Sequence, residues 1–166
     1  MRASFPTRQG SFVPDKPISF AAALLVALGL LSPGWAAAQK YPRSVGELVA
    51  RAKAQIRTID LATFKSAFDK GELGLIVDVR EPGEYAGGHI PGAINIPRGQ
   101  IELSIWPHVG FPDSTDMSRK MTLYCGSGAR CILAAKSLQD LGFSDVTAAD
   151  MRIDDWRRAG YPLVEE

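Results

Sequence analysis

The chain has 166 residues, which suits one domain with an extension rather than two domains. Apolar residues at 46% and charged residues at 22% form an ordinary globular balance and exclude wholesale disorder. A formal net charge of +1 provides no field to hold a nucleic-acid backbone or an acidic membrane surface, and two cysteines are too few for a disulfide framework.

The chain opens with a cationic stretch containing Arg2, Arg8 and Lys16, followed by an apolar run from Ile18 to Leu31 broken only by Ser19 and Gly29. Ser32-Pro33-Gly34 ends any helix, and Ala36-Ala37-Ala38 supplies the small residues that a signal peptidase reads. This order predicts a secretory signal over 1–38, cleaved between Ala38 and Gln39. The apolar run has 14 residues, fewer than the roughly 20 of a spanning helix, so a retained anchor is the second choice. Cleavage removes three cations and one anion, leaving 16 Lys+Arg against 17 Asp+Glu, a net charge of −1. The expected location is the periplasm or the exterior, where disulfides persist and no stable membrane association follows.

A helical extension is expected over 39–56. Ser44-Val45-Gly46-Glu47 has the pattern of a capping box, with Val45, Leu48, Val49, Ala52 and Ile56 on one face. The main domain is then expected over 57–166. Thr58-Ile59 reads as a short strand, and Asp60 caps a helix that ends at Gly71. Leu73–Val79 is a buried strand, Ala93–Ile96 a second and Met121–Tyr124 a third. Gly99–Trp106 reads as helical and Gly110–Lys120 as a polar loop. A helix over Cys131–Leu141, a strand at Val146-Thr147 and a helix over Ile153–Ala159 complete the series. Short buried strands alternating with helices predict an α/β fold, an open and mainly parallel sheet covered on both faces.

Tyr124-Cys125-Gly126-Ser127-Gly128-Ala129-Arg130 carries most of the chemical information. Four residues separate the cysteine from the arginine, and two of them are glycine. Such a loop can curl so that successive N–H groups form an anion nest at the start of the following helix. A thiol there ionises below the ordinary value of about 8.5, and the thiolate is the attacking form. The same nest would stabilise a persulfide anion. A buried structural cysteine is the plainer reading, but it leaves the glycines and the arginine without a purpose.

Asp78-Val79-Arg80, Glu84-Tyr85, Gly88-His89-Ile90-Pro91-Gly92-Ala93 and Asn95-Ile96-Pro97 follow one another in order. Together with the Cys125 loop, Gly142-Phe143 and Trp156…Ala159-Gly160-Tyr161-Pro162, they closely resemble the single-domain rhodanese family over about residues 57–166. The resemblance implies an open five-stranded parallel sheet flanked by helices, with an active cysteine in a strand-to-helix cradle. By the same resemblance, Cys125 carries the persulfide, and Gly126, Ser127, Gly128, Ala129 and Arg130 form the substrate-binding loop. Asp78 and Arg80 are supporting residues: Asp78 is expected to pair with Arg130, while Arg80 faces the substrate anion or Glu84. His89 is expected to bond backbone in a turn.

Related phosphatases and arsenate reductases have a loop one residue longer, which ranks those activities low. Two departures from the family pattern stand out. Position 126, often basic in strong thiosulfate users, is glycine, and position 131, commonly a small hydroxyl, is Cys131. Cys131 is either a candidate resolving or disulfide-forming thiol, or a packed replacement for serine. The implied activity is sulfurtransfer from thiosulfate or a persulfide to cyanide or a thiol, the partners being small sulfur anions, thiols or a protein thiol acceptor. Two alternatives stay open. One is a non-enzymatic carrier that docks partners through Ile105-Trp106-Pro107 and Val109–Phe111; the other is a thiol-redox protein using Cys125 and Cys131. No cofactor and no metal cluster are expected from the scattered histidines and cysteines.

Overall fold

The computed structural model describes residues 42–166, so the expected signal and its cleavage point lie outside the described residues. Five strands form one sheet: β1 (Arg57–Ile59), β2 (Leu75–Asp78), β3 (Ile94–Asn95), β4 (Met121–Tyr124) and β5 (Val146–Ala149). The order across the sheet is β1-β5-β4-β2-β3, and every pairing is parallel. The open parallel α/β sheet expected from the sequence is therefore the observed architecture. β4 is central and all four of its residues are buried, as expected for a strand covered on both faces.

Side-chain alternation along β4 divides the core in two. Met121, Leu123 and Cys125 face one layer, where α1 (Arg43–Lys53), α4 (Ile101–Ser104) and α5 (Ala129–Asp140) pack. Tyr124 faces the other, against α2 (Leu61–Asp69) and α6 (Ile153–Arg158). In that second layer the fully buried Trp156 meets Phe64 edge-on at 5.5 Å and Tyr161 at 4.9 Å, and its indole N–H donates to Pro162 O at 2.8 Å. The C-terminal Trp…Gly-Tyr-Pro stretch is thus a packing device that fastens the last segment to α2.

Local chemistry explains most boundaries. Asp60 caps α2 by accepting from Thr63 N at 2.8 Å, and Gly71 follows the helix at φ +68°, a conformation that favours glycine. The Ser44 capping box does not form. α1 begins one residue earlier, after Pro42, and Glu47 instead accepts from Arg43 Nε at 2.8 Å. Proline pre-sets φ ahead of the first turn, and no side chain caps this helix. Ala52 of α1 is buried in the same core cluster as α5, with Val49 and Ile56 packed against it.

A short helix absent from the sequence reading, α3 (Pro82–Ala86), follows β2. Its start is a capping arrangement in which Glu84 accepts from the Glu81 backbone N–H at 3.1 Å. Among the described residues, no helix is long and apolar enough to cross a membrane.

Candidate active site

Cys125 follows β4 directly, at the carboxyl end of the central strand and just before α5. Ligands in open α/β sheets bind at this edge. Gly128 takes φ +88°, and a Cβ there would lie 3.3 Å from Asp150 Oδ1 in the segment after β5. The backbone conformation favours glycine here, and any Cβ would press closely on the Asp150 carboxylate. The turn directs backbone N–H groups of Cys131, Ser127 and Gly128 at the Cys125 sulfur, with Cys131 N at 3.4 Å.

Cys125 and Cys131 are both fully buried, and their Sγ atoms are 3.5 Å apart. The hydrogen bond from the Cys131 thiol, followed by the backbone donors, outweighs burial and lowers the Cys125 pKa to about 6. The Cys125 sulfur in turn, together with burial, pushes the Cys131 thiol well above its ordinary range. Within the pair, ionisation is thus favoured at Cys125 over Cys131. The Cys131 sulfur also has Gly128 O at 3.0 Å and Ala149 O at 3.3 Å as acceptors.

The ion pairs differ from the expectation. Asp78 does not reach Arg130; it grips Arg80, receiving Nε at 2.9 Å and Nη2 at 2.5 Å as well as the Arg80 backbone N–H at 2.9 Å. Arg80 also donates to Gly88 O at 2.8 Å, and its guanidinium lies 5.8 Å from the centre of the Tyr124 ring. The reason is reach. Asp78 and Arg80 leave β2 on the same face, two residues apart, so they close a local fork that is fully occupied before Arg130 can compete. Asn95 Nδ2 ties the same turn by donating to Asp78 O and Arg80 O, both at 3.0 Å.

Arg130 instead forms a two-pronged pair with Glu84 of α3, at 2.6 Å and 2.8 Å. Arg130 holds the Glu84 carboxyl down at a pKa of about 2, and Glu84 pushes the guanidinium upward. Glu84 sits at this place because α3 presents it there.

His89 bonds backbone as expected, but in an isolated β-bridge to Val164 rather than in a turn. Its ring stacks on Tyr85 at 3.6 Å with Nδ1 3.1 Å from Tyr85 O, and its backbone exchanges two 2.9 Å bonds with Val164. The supposed docking stretch is mostly interior. Ile105 and Val109 are buried, Trp106 packs on Phe143 and Phe111, and only Phe111 of the large apolar side chains is exposed.

An open cleft of about 460 Å³ lies over the cradle, lined by Gly126, Ser127 and Arg130 from the loop and by Arg80, Glu84, Arg152, Asp154 and Arg157 around it. Four arginines against two carboxylates give its walls an excess of positive charge, though Arg80, Arg130 and Arg157 are already paired with Asp78, Glu84 and Asp154.

A rhodanese-like domain family matches residues 60–159. The chain belongs to the rhodanese family. A sulfurtransferase of Allochromatium vinosum is 30% identical over 109 residues, covering 66% of this chain and 95% of that protein. A putative sulfur carrier protein of Bacillus subtilis is 32% identical over 116 residues, covering 70% of this chain; this chain spans only 59% of that protein. Among solved structures, a protein of unknown function from Rhodopseudomonas palustris, described as a possible tyrosine phosphatase, superposes with a TM-score of 0.63 at 30% identity, covering 76% of this chain and 98% of that one.

Three residues of this rhodanese site escaped the sequence reading or were placed only loosely. Arg152 and Arg157 reach the cleft from the start and end of α6, and Glu84 reaches it from α3. Arg152-Ile153-Asp154-Asp155-Trp156-Arg157 looks like an ordinary amphipathic turn, and nothing in its spacing marks a site. Its position beside Gly128 is set by the pairing of β5 with β4, a long-range relationship.

Proposed function

We propose that this rhodanese transfers sulfane sulfur through a Cys125 persulfide. The observation that carries the proposal is the placement of Cys125 at the carboxyl end of β4, its sulfur met by the Cys131 N–H at 3.4 Å beneath an arginine-lined cleft. Thiosulfate or a small persulfide enters as an anion. The Cys125 sulfur attacks the outer sulfur of thiosulfate, the S–S bond of the donor breaks, and sulfite leaves with the bonding electrons. Cyanide or a thiolate then attacks the sulfur now held on Cys125, and the Cys125 thiolate departs. The cradle stabilises the anion at the start, between the steps and at the end, so no proton must move at the reacting sulfur. The four-residue spacer supports sulfur over phosphate chemistry, because a shorter loop gives a narrower cradle.

Intact-mass measurement at early times after adding thiosulfate tests this. The reduced protein should gain one sulfur atom and lose it to cyanide, and Cys125→Ser should gain none. An unmodified wild-type mass at every time, with no release of sulfite, would overturn the proposal.

Export also belongs here. The cationic, apolar and small-residue order of residues 1–38 supports a cleaved signal and a periplasmic or secreted protein. N-terminal sequencing of protein recovered from outside the cytoplasm should begin at Gln39; a chain that keeps Met1 argues for retention.

A further inference from the structure

Cys131 takes no part in the two steps above, yet it is the nearest thiol to the reacting sulfur. Its Sγ stands 3.5 Å from that of Cys125, in the first turn of α5, and it is fully buried. Gly128 O and Ala149 O, at 3.0 Å and 3.3 Å, fix it between the cradle and the end of β5. The cleft is lined by Gly126, Ser127 and Arg130, and neither Cys125 nor Cys131, both fully buried, forms part of its wall. A sulfur added to Cys125 leaves Cys131 the nearest thiol to the new S–S bond, 3.5 Å from the Cys125 sulfur that a displacement must reach.

We propose that Cys131 resolves the Cys125 persulfide when no acceptor takes the sulfur. The Cys131 sulfur bonds to Cys125 Sγ, the bond between Cys125 Sγ and the outer sulfur breaks, and the outer sulfur leaves with that electron pair. The Cys131 proton goes with it, so the products are hydrogen sulfide and a Cys125–Cys131 disulfide. The outer sulfur is reduced and the cysteine pair is oxidised by the same amount, and no external oxidant enters. The inference rests on the persulfide reading of Cys125 and adds a stop state to it: a loaded chain without an acceptor discharges once and then waits for a reducing thiol.

Local chemistry favours the step. The thiolate at Cys125 is the first cause holding the Cys131 proton in place. Once Cys125 is sulfurated, the negative charge moves one atom further out and that hold weakens. The sulfurs must close from 3.5 Å to the roughly 2.05 Å of a covalent bond, and the intervening loop contains Gly126 and Gly128 to absorb the shift.

The test exposes reduced wild type and Cys131→Ser to thiosulfate without oxygen, then removes thiosulfate and sulfite. Samples are acid-quenched at intervals and weighed intact, with released sulfide measured in parallel. Cys131→Ser should hold its added sulfur throughout. Wild type should lose it, ending lighter than the reduced protein by the hydrogens a disulfide removes and releasing one sulfide per disulfide formed. Wild type that keeps its added sulfur as long as Cys131→Ser does would overturn the inference while leaving the persulfide intact. Failure of both proteins to take up sulfur, with neither sulfide nor disulfide formed, would overturn the persulfide reading and this step with it. Should Cys131→Ser not fold, wild type alone decides, by the presence or absence of a Cys125–Cys131 linked peptide in the discharged protein.

Discussion

The guanidinium of Arg130 lies where a side chain at position 126 would begin: a Cβ on Gly126 would sit 2.9 Å from Arg130 Nη2. The glycine that departs from the pattern of strong thiosulfate users is thus complementary to the placement of Arg130. Arg130 folds over position 126 to meet Glu84, and any side chain there would have to push it aside. The cation nearest the cradle is therefore occupied by a carboxylate before substrate arrives.

Removing that carboxylate should sharpen anion binding. Glu84→Gln leaves Arg130 free to face the cleft, and the KM for thiosulfate in a cyanide assay should fall severalfold. Folding stability should change by less than about 1 kcal/mol, because Glu84 and Arg130 are 43% and 32% exposed and such pairs are well screened. An unchanged or raised KM would show that the pair does not restrain Arg130.

The same pair sets a pH dependence. Glu84 has a folded pKa of about 2, below the ordinary value near 4.3, so its contribution is complete above the ordinary value and is lost as pH falls toward 2. Glu84→Gln should abolish that part of the acid sensitivity. Urea midpoints compared between pH 6 and pH 3 measure it.

Asp78→Ala should act on stability far more than any surface change. It leaves the Arg80 guanidinium, only 3% exposed, without its partner, at a cost of about 3–5 kcal/mol. Denaturant unfolding reads this directly. A loss below about 1 kcal/mol would mean that Gly88 O and water can satisfy Arg80 alone.

The thiols should titrate far apart. Thiolate ultraviolet absorbance should show one ionisation near pH 6 and no second until well above the ordinary thiol range. Cys131→Ala should move the first ionisation upward, because the hydrogen bond from Cys131 is the largest cause of its lowering. A titration unmoved by that change would assign the lowering to the backbone cradle instead.

Gly128→Ala combines an unfavourable φ with a 3.3 Å approach to Asp150. A loss of about 1–3 kcal/mol is expected, with slower sulfur loading as the cradle N–H groups turn away. Thermal unfolding and single-turnover loading would check both effects.

The sheet was legible in the sequence because its strands are short apolar runs bounded by turn residues, and β4 matches its expected bounds, Met121–Tyr124. The cradle was legible because glycine, cysteine and arginine are informative at close spacing. The ion-pair partners were not. Asp78 had two arginines within plausible reach, and the choice between them depended on the direction in which β2 ends. Glu84 was expected opposite the substrate-facing Arg80 rather than Arg130, since α3 is too short to show periodicity and fix where it points. Arg152 and Arg157 reach the cleft because β5 pairs with β4 and delivers α6 there, and no local pattern encodes that.

The packing of α1 against α5 has a practical meaning for anyone shortening this chain. Lys53 bonds Asp150 at 2.5 Å, and Asp150 is the residue that borders Gly128. A chain trimmed to start at 57, just ahead of the family match, would uncover apolar surface on α5 and release the rim of the cradle from one side. Its weakened sulfur chemistry would then be charged to the catalytic loop, when the fault lay in the missing buttress.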